Sequence, residues 1–424
     1  MNSSQISSSQ RPGLHGFQVK QRKSAAKAQA KYEPEIFRDN LLEVINSSKP
    51  EDLDDLSQKL DAAGNELDYR KYGDTFFEVL ITGGVIGPGG DILDPETRSP
   101  YCIFAAEESA IKGHVEVIRK TIRRYKYLQK ALTETLKHVL QLVNRWSEAE
   151  NVKLGIATAL FISVGLVSAE VLAVLFKDHL LKDGYSLRLV TVVFKTFLTD
   201  QSIDQLGSAL TKGGIEGRLL EFFPPNKRNS EYFTRYFEAS DLRPLVDYHN
   251  KKQLNERKER FLEQLREMIS DEDATPQGVA SYAKQQIKES NLPEHEVAQL
   301  FWEALMTSVD WSNRPELVES QAKNQINKWA GALAEVSTTS RTELLLLQKV
   351  QIWCYEDAKL LKAFRALVQL LYKHDVLSEG AILYWAEKGA KPQGKTVFLK
   401  QMEPLLQWLK NAEEEDDEDE DEKE

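Results

Sequence analysis

Trp408 stands five residues ahead of a run of carboxylates, for residues 413–424 hold eleven acids and one lysine. The same pairing of aromatics with adjacent acids recurs upstream. Trp353 and Tyr355 neighbour Glu356 and Asp357, and Tyr384 and Trp385 neighbour Glu387. Aromatic faces hold the aliphatic stem of a lysine while carboxylates take its ammonium group, so this composition suits a lysine-rich ligand. Exposed ion pairs contribute only about 0.2–1 kcal/mol each and are screened by salt. Affinity and register would therefore come from the folded aromatic part, and encounter rate from the tail. The specific part of such a site is expected where helix meets tail, at Trp408, Glu413 and Glu414 rather than at 418–424. The competing reading is a set of core tryptophans followed by a solubilising tail, because aromatics at helical spacing usually pack inward. Phe398, Met402, Leu405 and Leu409 form such a stripe, with Trp408 off its centre and Pro404 placed to kink or restart the helix.

No other residue set has the specificity of a catalytic or metal motif. Cys102 and Cys354 lie far apart among apolar and aromatic neighbours and read as buried thiols. The seven histidines show no short metal-ligand spacing, and neither GxSxG nor HExxH is present. The expectation is a protein that is not an enzyme and carries no metal or cofactor. The glycine-rich ITGGVIGPGGDILDP (81–95) lacks the Gly-Lys-Ser/Thr of a phosphate loop and reads as a flexible connection between helices. NKKQLNERKERFLEQLREMI (250–269) offers at most two heptads, too few for a zipper, and reads as an amphipathic helix of the C-terminal domain. Within 117–140, Arg119, Arg123, Lys126, Lys130 and Lys137 fall at i, i+4, i+7, i+11 and i+18, on one face of a single helix. Ile118, Ile122, Tyr125, Leu132 and Leu136 line the neighbouring face. Such a basic stripe can meet RNA phosphate or an acidic protein segment, or stand solvated. It carries the alternative function, an RNA-binding regulatory adaptor.

The elements that must position these residues are helices almost throughout. Ser48, Thr275-Pro276, Pro293 and Pro315 each precede a periodic apolar run, and strand-like alternation is scarce. Helices of about 12–20 residues joined by short polar loops predict an all-α fold of stacked helix pairs, HEAT-like, in two domains. Six of the seven tryptophans lie in the last third, so the second domain has a different kind of core. We place the N-terminal domain at 33–246 and the C-terminal one at 247–412, flanked by a flexible basic arm (1–32) and an acidic tail (413–424). The formal net charge is −11, and residues 413–424 carry −10 of it, so the body is nearly neutral. LGIATALFISVGLVSAEVLAVLF (154–176) is long enough to span a bilayer, but amphipathic flanks on both sides favour a buried core segment. Paucity of cysteine and the lack of a secretory signal core fit a cytoplasmic protein.

At the C-terminus the order IWCYEDA…LLYKHDVLSEGAILYW…PLLQWLKNAEEE closely resembles the W2 domain, found at the end of translation initiation factor five and of the epsilon subunit of the two-B exchange factor. With KYEPEIFRDNL and FFEVLITGGVIGPGGDI near the other end, residues 25–424 resemble the initiation factor five mimic family. The resemblance implies a first domain similar to the middle domain of initiation factor four-G, followed by the W2 domain. It implies two aromatic–acidic boxes that bind lysine-rich segments of the beta subunit of initiation factor two. The first maps around Asp375, Glu379, Trp385 and Glu387, and the second onto Trp408, Glu413, Glu414 and Glu415. The initiation factor three complex and, through preinitiation complexes, the small ribosomal subunit are further implied partners, with no membrane and no small-molecule substrate. Members are regarded as competitors of factor five that restrain initiation at poor start codons and alter reinitiation. The factor's GTPase-activating domain, with its arginine finger and four-cysteine zinc ribbon, has no counterpart here, which implies a mimic that binds without activating hydrolysis.

Overall fold

Apolar residues at helical spacing, opened repeatedly by caps and prolines, fold this chain into helices. The computed structural model describes residues 32–49, 52–271, 273–312 and 314–421, and among these are eighteen α-helices and no strand. The basic arm up to residue 31 lies outside the described residues. The chain divides into two compact units, Met1–Val246 and Asp247–Glu424.

The first unit holds α1 (Pro34–Asn46), α2 (Leu53–Ala63), α3 (Gly73–Thr82), α4 (Ile111–Arg124), α5 (Leu128–Gln141), α6 (Glu148–Ser163), α7 (Asp178–Lys182), α8 (Tyr185–Asp200), α9 (Ile203–Lys212) and α10 (Ser230–Ala239). Its packing is periodic: α2 lies on α4, α3 on α5, α4 on α6, and α6 on α8, as stacked helix pairs require. The apolar run 154–176 is core in two pieces. After α6 the chain turns at Gly165 (φ 74°) into a 3-10 segment, Ala169–Phe176. Leu154, Ala157, Phe161, Val171 and Leu172 are buried, and no described helix is long and apolar enough to cross a membrane.

Three local expectations change. Asp52, not Ser48, caps α2, accepting from the Asp54 and Asp55 amides at 3.1 and 2.9 Å, because a carboxylate placed directly before the helix reaches those orphan donors. The glycine-rich loop is built rather than slack. Gly83 ends α3 in the left-handed region (φ 94°), Gly87 N–H donates to Asp91 O at 2.8 Å, and the buried Glu78 carboxylate accepts from Ile86 N at 3.1 Å. The basic stripe does not lie on one helix. Tyr125 (φ −113°, ψ 71°) ends α4, and α5 begins at Leu128, so the register carrying Arg119 and Arg123 is lost before Lys130 and Lys137.

α11 (Arg243–Ser270) runs across the division between the units. In the second unit it lays Phe261, Leu265 and Ile269 into the core, while Lys258 pairs with Glu296 at 2.7 Å and Arg257 donates to Ser290 O at 3.0 Å. Those contacts make it the amphipathic helix expected, not a zipper. There follow α12 (Pro276–Glu289), α13 (Glu294–Thr307), α14 (Pro315–Ala334), α15 (Ser340–Glu356), α16 (Phe364–Lys373), α17 (Glu379–Tyr384) and α18 (Lys395–Asp421). The alternation recurs, with α12 on α14, α13 on α15, α14 on α16, and α16 on α18. Trp302 and Trp329 are wholly buried at its centre, and burial pushes the Cys354 thiol well up from its ordinary value.

Candidate partner-binding site

Helix α18 buries its predicted stripe: Phe398, Met402, Leu405 and Leu409 all face the core. That register leaves Trp408 outside, 56% exposed, although it sits one residue from a buried leucine. Its ring meets that of Tyr372, from the last turn of α16, edge to face at 6.2 Å and 79°. Between them opens a groove of about 610 Å³, lined by Arg365, Gln369, Tyr372, Lys373, Pro404, Leu405 and Trp408. Pro404 lies inside α18 rather than restarting it, and as a groove wall it adds an apolar surface without an N–H to satisfy.

Two acids act on one of its rings. The Tyr372 phenol is pushed up from its ordinary value, first by burial and then by the carboxylates of Glu379 and Asp375. Asp375 follows α16 in the left-handed region (φ 57°), and its N–H donates to Tyr372 O at 3.1 Å, which turns the chain back beside the ring. Ser378 then caps α17, placing Glu379 in its first turn. Arg365 and Lys373 line the groove itself, so its walls carry cations as well as aromatics. Tyr372, Arg365 and Lys373 were not singled out from sequence, because they reach Trp408 only through the packing of α16 on α18.

Trp385 differs from the expectation for the first box. It is fully buried, with its ring 5.3 Å from Phe364 and its Nε1–H donated to Gln351 Oε1 at 2.9 Å. Trp385 shares the buried face of its helix with Ala381 and Ile382, so it supports the surface from beneath. Gln351, also buried, uses its whole amide: Oε1 additionally accepts from Lys391 N (3.0 Å), and Nε2 donates to Lys391 O (2.8 Å) and Gln393 O (2.7 Å). This one side chain ties the loop before α18 to α15 and to Trp385. Tyr384 (51%), Glu387 and Glu356 are exposed and Asp357 half-buried, around the ends of α15 and α17. Tyr355, 49% exposed, packs near Gly394. Glu413, Glu414 and Glu415 continue on α18, but their side chains lie outside the described residues.

Gly394 must be glycine for two reasons. Its φ is 69°, and a Cβ there would collide with the rings of Phe398 and Tyr355. We expect Gly394→Ala to destabilise the C-terminal unit by about 2–4 kcal/mol, combining left-handed strain with overpacking. Urea unfolding followed by tryptophan fluorescence would measure it, and an unchanged midpoint would show that the α18 entry is not held as described.

A family model described as "5MP1/2 HEAT domain" matches residues 19–259, and one described as W2, "eIF4-gamma/eIF5/eIF2-epsilon", matches residues 342–419. The second covers α15 to α18 and so contains the Trp408 groove. The chain is 38% identical to a chicken (Gallus gallus) protein named eIF5-mimic protein 1 over 97% of this chain and 99% of that one. It is 39% identical to Protein krasavietz of Drosophila melanogaster over 96% of each. To the human (Homo sapiens) eIF5-mimic protein 1 it is 38% identical, over 96% of this chain and 97% of that one. With matches of this extent at both ends, the chain belongs to the eIF5-mimic family of translation-initiation regulators, an N-terminal HEAT domain followed by a W2 domain.

Proposed function

We propose that this protein is a non-catalytic competitor of initiation factor five, holding lysine-rich segments of the beta subunit of initiation factor two at its W2 domain. The observation that carries the reading is the exposed Trp408, seated on Tyr372 with Asp375 and Glu379 beside the phenol. A lysine stem lies along the indole and its ammonium group reaches the carboxylates. Glu413, Glu414 and Glu415, which follow Trp408 in sequence, add their carboxylates to the same site. Arg365 and Lys373 act as a repulsive wall that sets which way the basic segment runs. Contacts with the initiation factor three complex, restraint of initiation at poor start codons and altered reinitiation belong to the same proposal, and family membership supports them.

A lysine-rich peptide titrated onto the full chain tests the reading. Arg365→Ala and Lys373→Ala are each expected to tighten binding by up to about fivefold at low salt, the size of one exposed charge interaction. Removing residues 418–424 should cost less affinity than Glu413→Gln, Glu414→Gln and Glu415→Gln together. Tightening on neither wall variant would place the peptide elsewhere, and an equal loss from the distal truncation would reduce the site to bulk charge.

A further inference from the structure

The break at Tyr125, which destroys the single basic stripe, assembles a different surface at the corner between α4 and α5. Of the five cations expected on one face, two are spent within the fold. Arg119 is bound to Glu116 at 2.7 Å, and Lys137 lies 3.4 Å from Glu170 and 3.6 Å from Glu134. The remaining three, Arg123, Lys126 and Lys130, are exposed and enter no ion pair among the described residues. They flank Tyr127, which is 38% exposed. The guanidinium of Arg70, from the loop before α3, lies over the Tyr127 ring with Cζ 4.5 Å from its centroid. Tyr125 stands 6.1 Å away at 60° and is pinned by its hydroxyl, which donates to Asp61 O at 2.9 Å. α5 opens at this point without a side-chain cap, so the positive end of its dipole adds to the same corner.

From this we infer that the corner formed by Arg70, Tyr127, Arg123, Lys126 and Lys130 is a docking surface for single-stranded RNA. The cations track phosphate, and the exposed tyrosine–guanidinium stack offers a flat platform on which a base stacks. An acidic peptide would use the cations but has no planar group to match the Tyr127–Arg70 stack, which is why RNA is the better fit. The surface lies wholly in the N-terminal unit and does not depend on the W2 reading. Among the acids around this corner, Asp61 and Asp54 are engaged by Arg124 and Lys120 at 3.5 and 2.7 Å, and Asp68, whose charge reaches the Tyr127 phenol, accepts from Lys71 N at 3.3 Å, so they oppose phosphate less than free carboxylates would.

Fluorescence anisotropy of labelled oligo-U and oligo-A of about twelve nucleotides, titrated with the full chain, tests this. Saturable binding is expected that weakens steeply as salt rises. Arg123→Glu, Lys126→Glu and Lys130→Glu combined should cut affinity more than about tenfold and flatten the salt dependence. Tyr127→Ser should cost about tenfold and Tyr127→Trp should restore binding, because any large flat ring serves for stacking. Arg119→Glu with Lys137→Glu, reversing cations already paired, should have the smaller effect. Absence of saturable RNA binding, or binding indifferent to the triple reversal and to Tyr127→Ser, would overturn the inference. So would an Asp/Glu-rich peptide of similar length that binds tighter than RNA through the same residues, since the corner would then be a protein-binding surface. Lysine-peptide binding at Trp408 is unaffected in every one of these variants, which separates failure here from failure of the proposed function.

Discussion

Trp408→Ala is expected to weaken binding of a lysine-rich peptide by about 10- to 100-fold, the scale of an aromatic interface anchor. Folding stability should change by less than about 0.5 kcal/mol, as for other exposed positions. Both halves follow from the register of α18. The helix is held by Phe398, Met402, Leu405 and Leu409, all buried, while Trp408 projects out of that stripe and is 56% exposed. Among the described residues, the ring it meets is that of Tyr372, edge on at 6.2 Å. Truncation therefore removes one wall of the groove and leaves the core untouched. Trp408→Phe should recover part of the affinity, since a smaller ring still holds a lysine stem. A large loss of stability would show that Trp408 is a core residue after all, and unchanged affinity would remove it from the site.

Gln351→Leu should give the opposite signature. The side chain fits the space, but Trp385 Nε1, Lys391 N, Lys391 O and Gln393 O lose their partner together. Unsatisfied buried groups cost about 1–3 kcal/mol each, and with Lys391 and Gln393 only partly shielded we expect a net loss of about 3 kcal/mol from the C-terminal unit. Gln351→Glu should be no better at neutral pH, because a carboxylate cannot donate to the two carbonyls. Peptide affinity should fall only as far as the loop entering α18 is loosened. Chemical denaturation with both variants measures the contrast, and a stability within about 0.5 kcal/mol of the parent would mean that the four hydrogen bonds are not jointly formed.

The two tryptophans show what could be read before any coordinates. Trp385 and Trp408 both stand next to acids, and composition alone treats them alike. Helical spacing separates them: Trp385 falls in line with Ala381 and Ile382 on a buried face, whereas Trp408 falls beside Leu409 and off its stripe. The spacing marks Trp408 as off its stripe, whereas the acids beside Trp385 mask its inward register. The all-α class was legible because capping and apolar periodicity agree along most of the chain. Tyr372 and Gln351 were not, because their roles exist only in the packing of α16 on α18 and of α15 on the loop at 389–393. The corner at Tyr127 was hidden for a different reason. RRYKY contains neither glycine nor proline, so nothing local announces that α4 stops at Arg124. Five cations at helical spacing then looked like one stripe, when two are neutralised in the fold and three gather around an exposed ring.

Displacement decides whether this W2 domain takes the partner of initiation factor five. The lysine-rich segment of the factor-two beta subunit, labelled and pre-bound to factor five, is titrated with the full chain at moderate salt. Complete displacement by the parent chain is expected, with little or none by Trp408→Ala at the same concentrations. Formation of a ternary complex without release of factor five, or equal displacement by both chains, would contradict it.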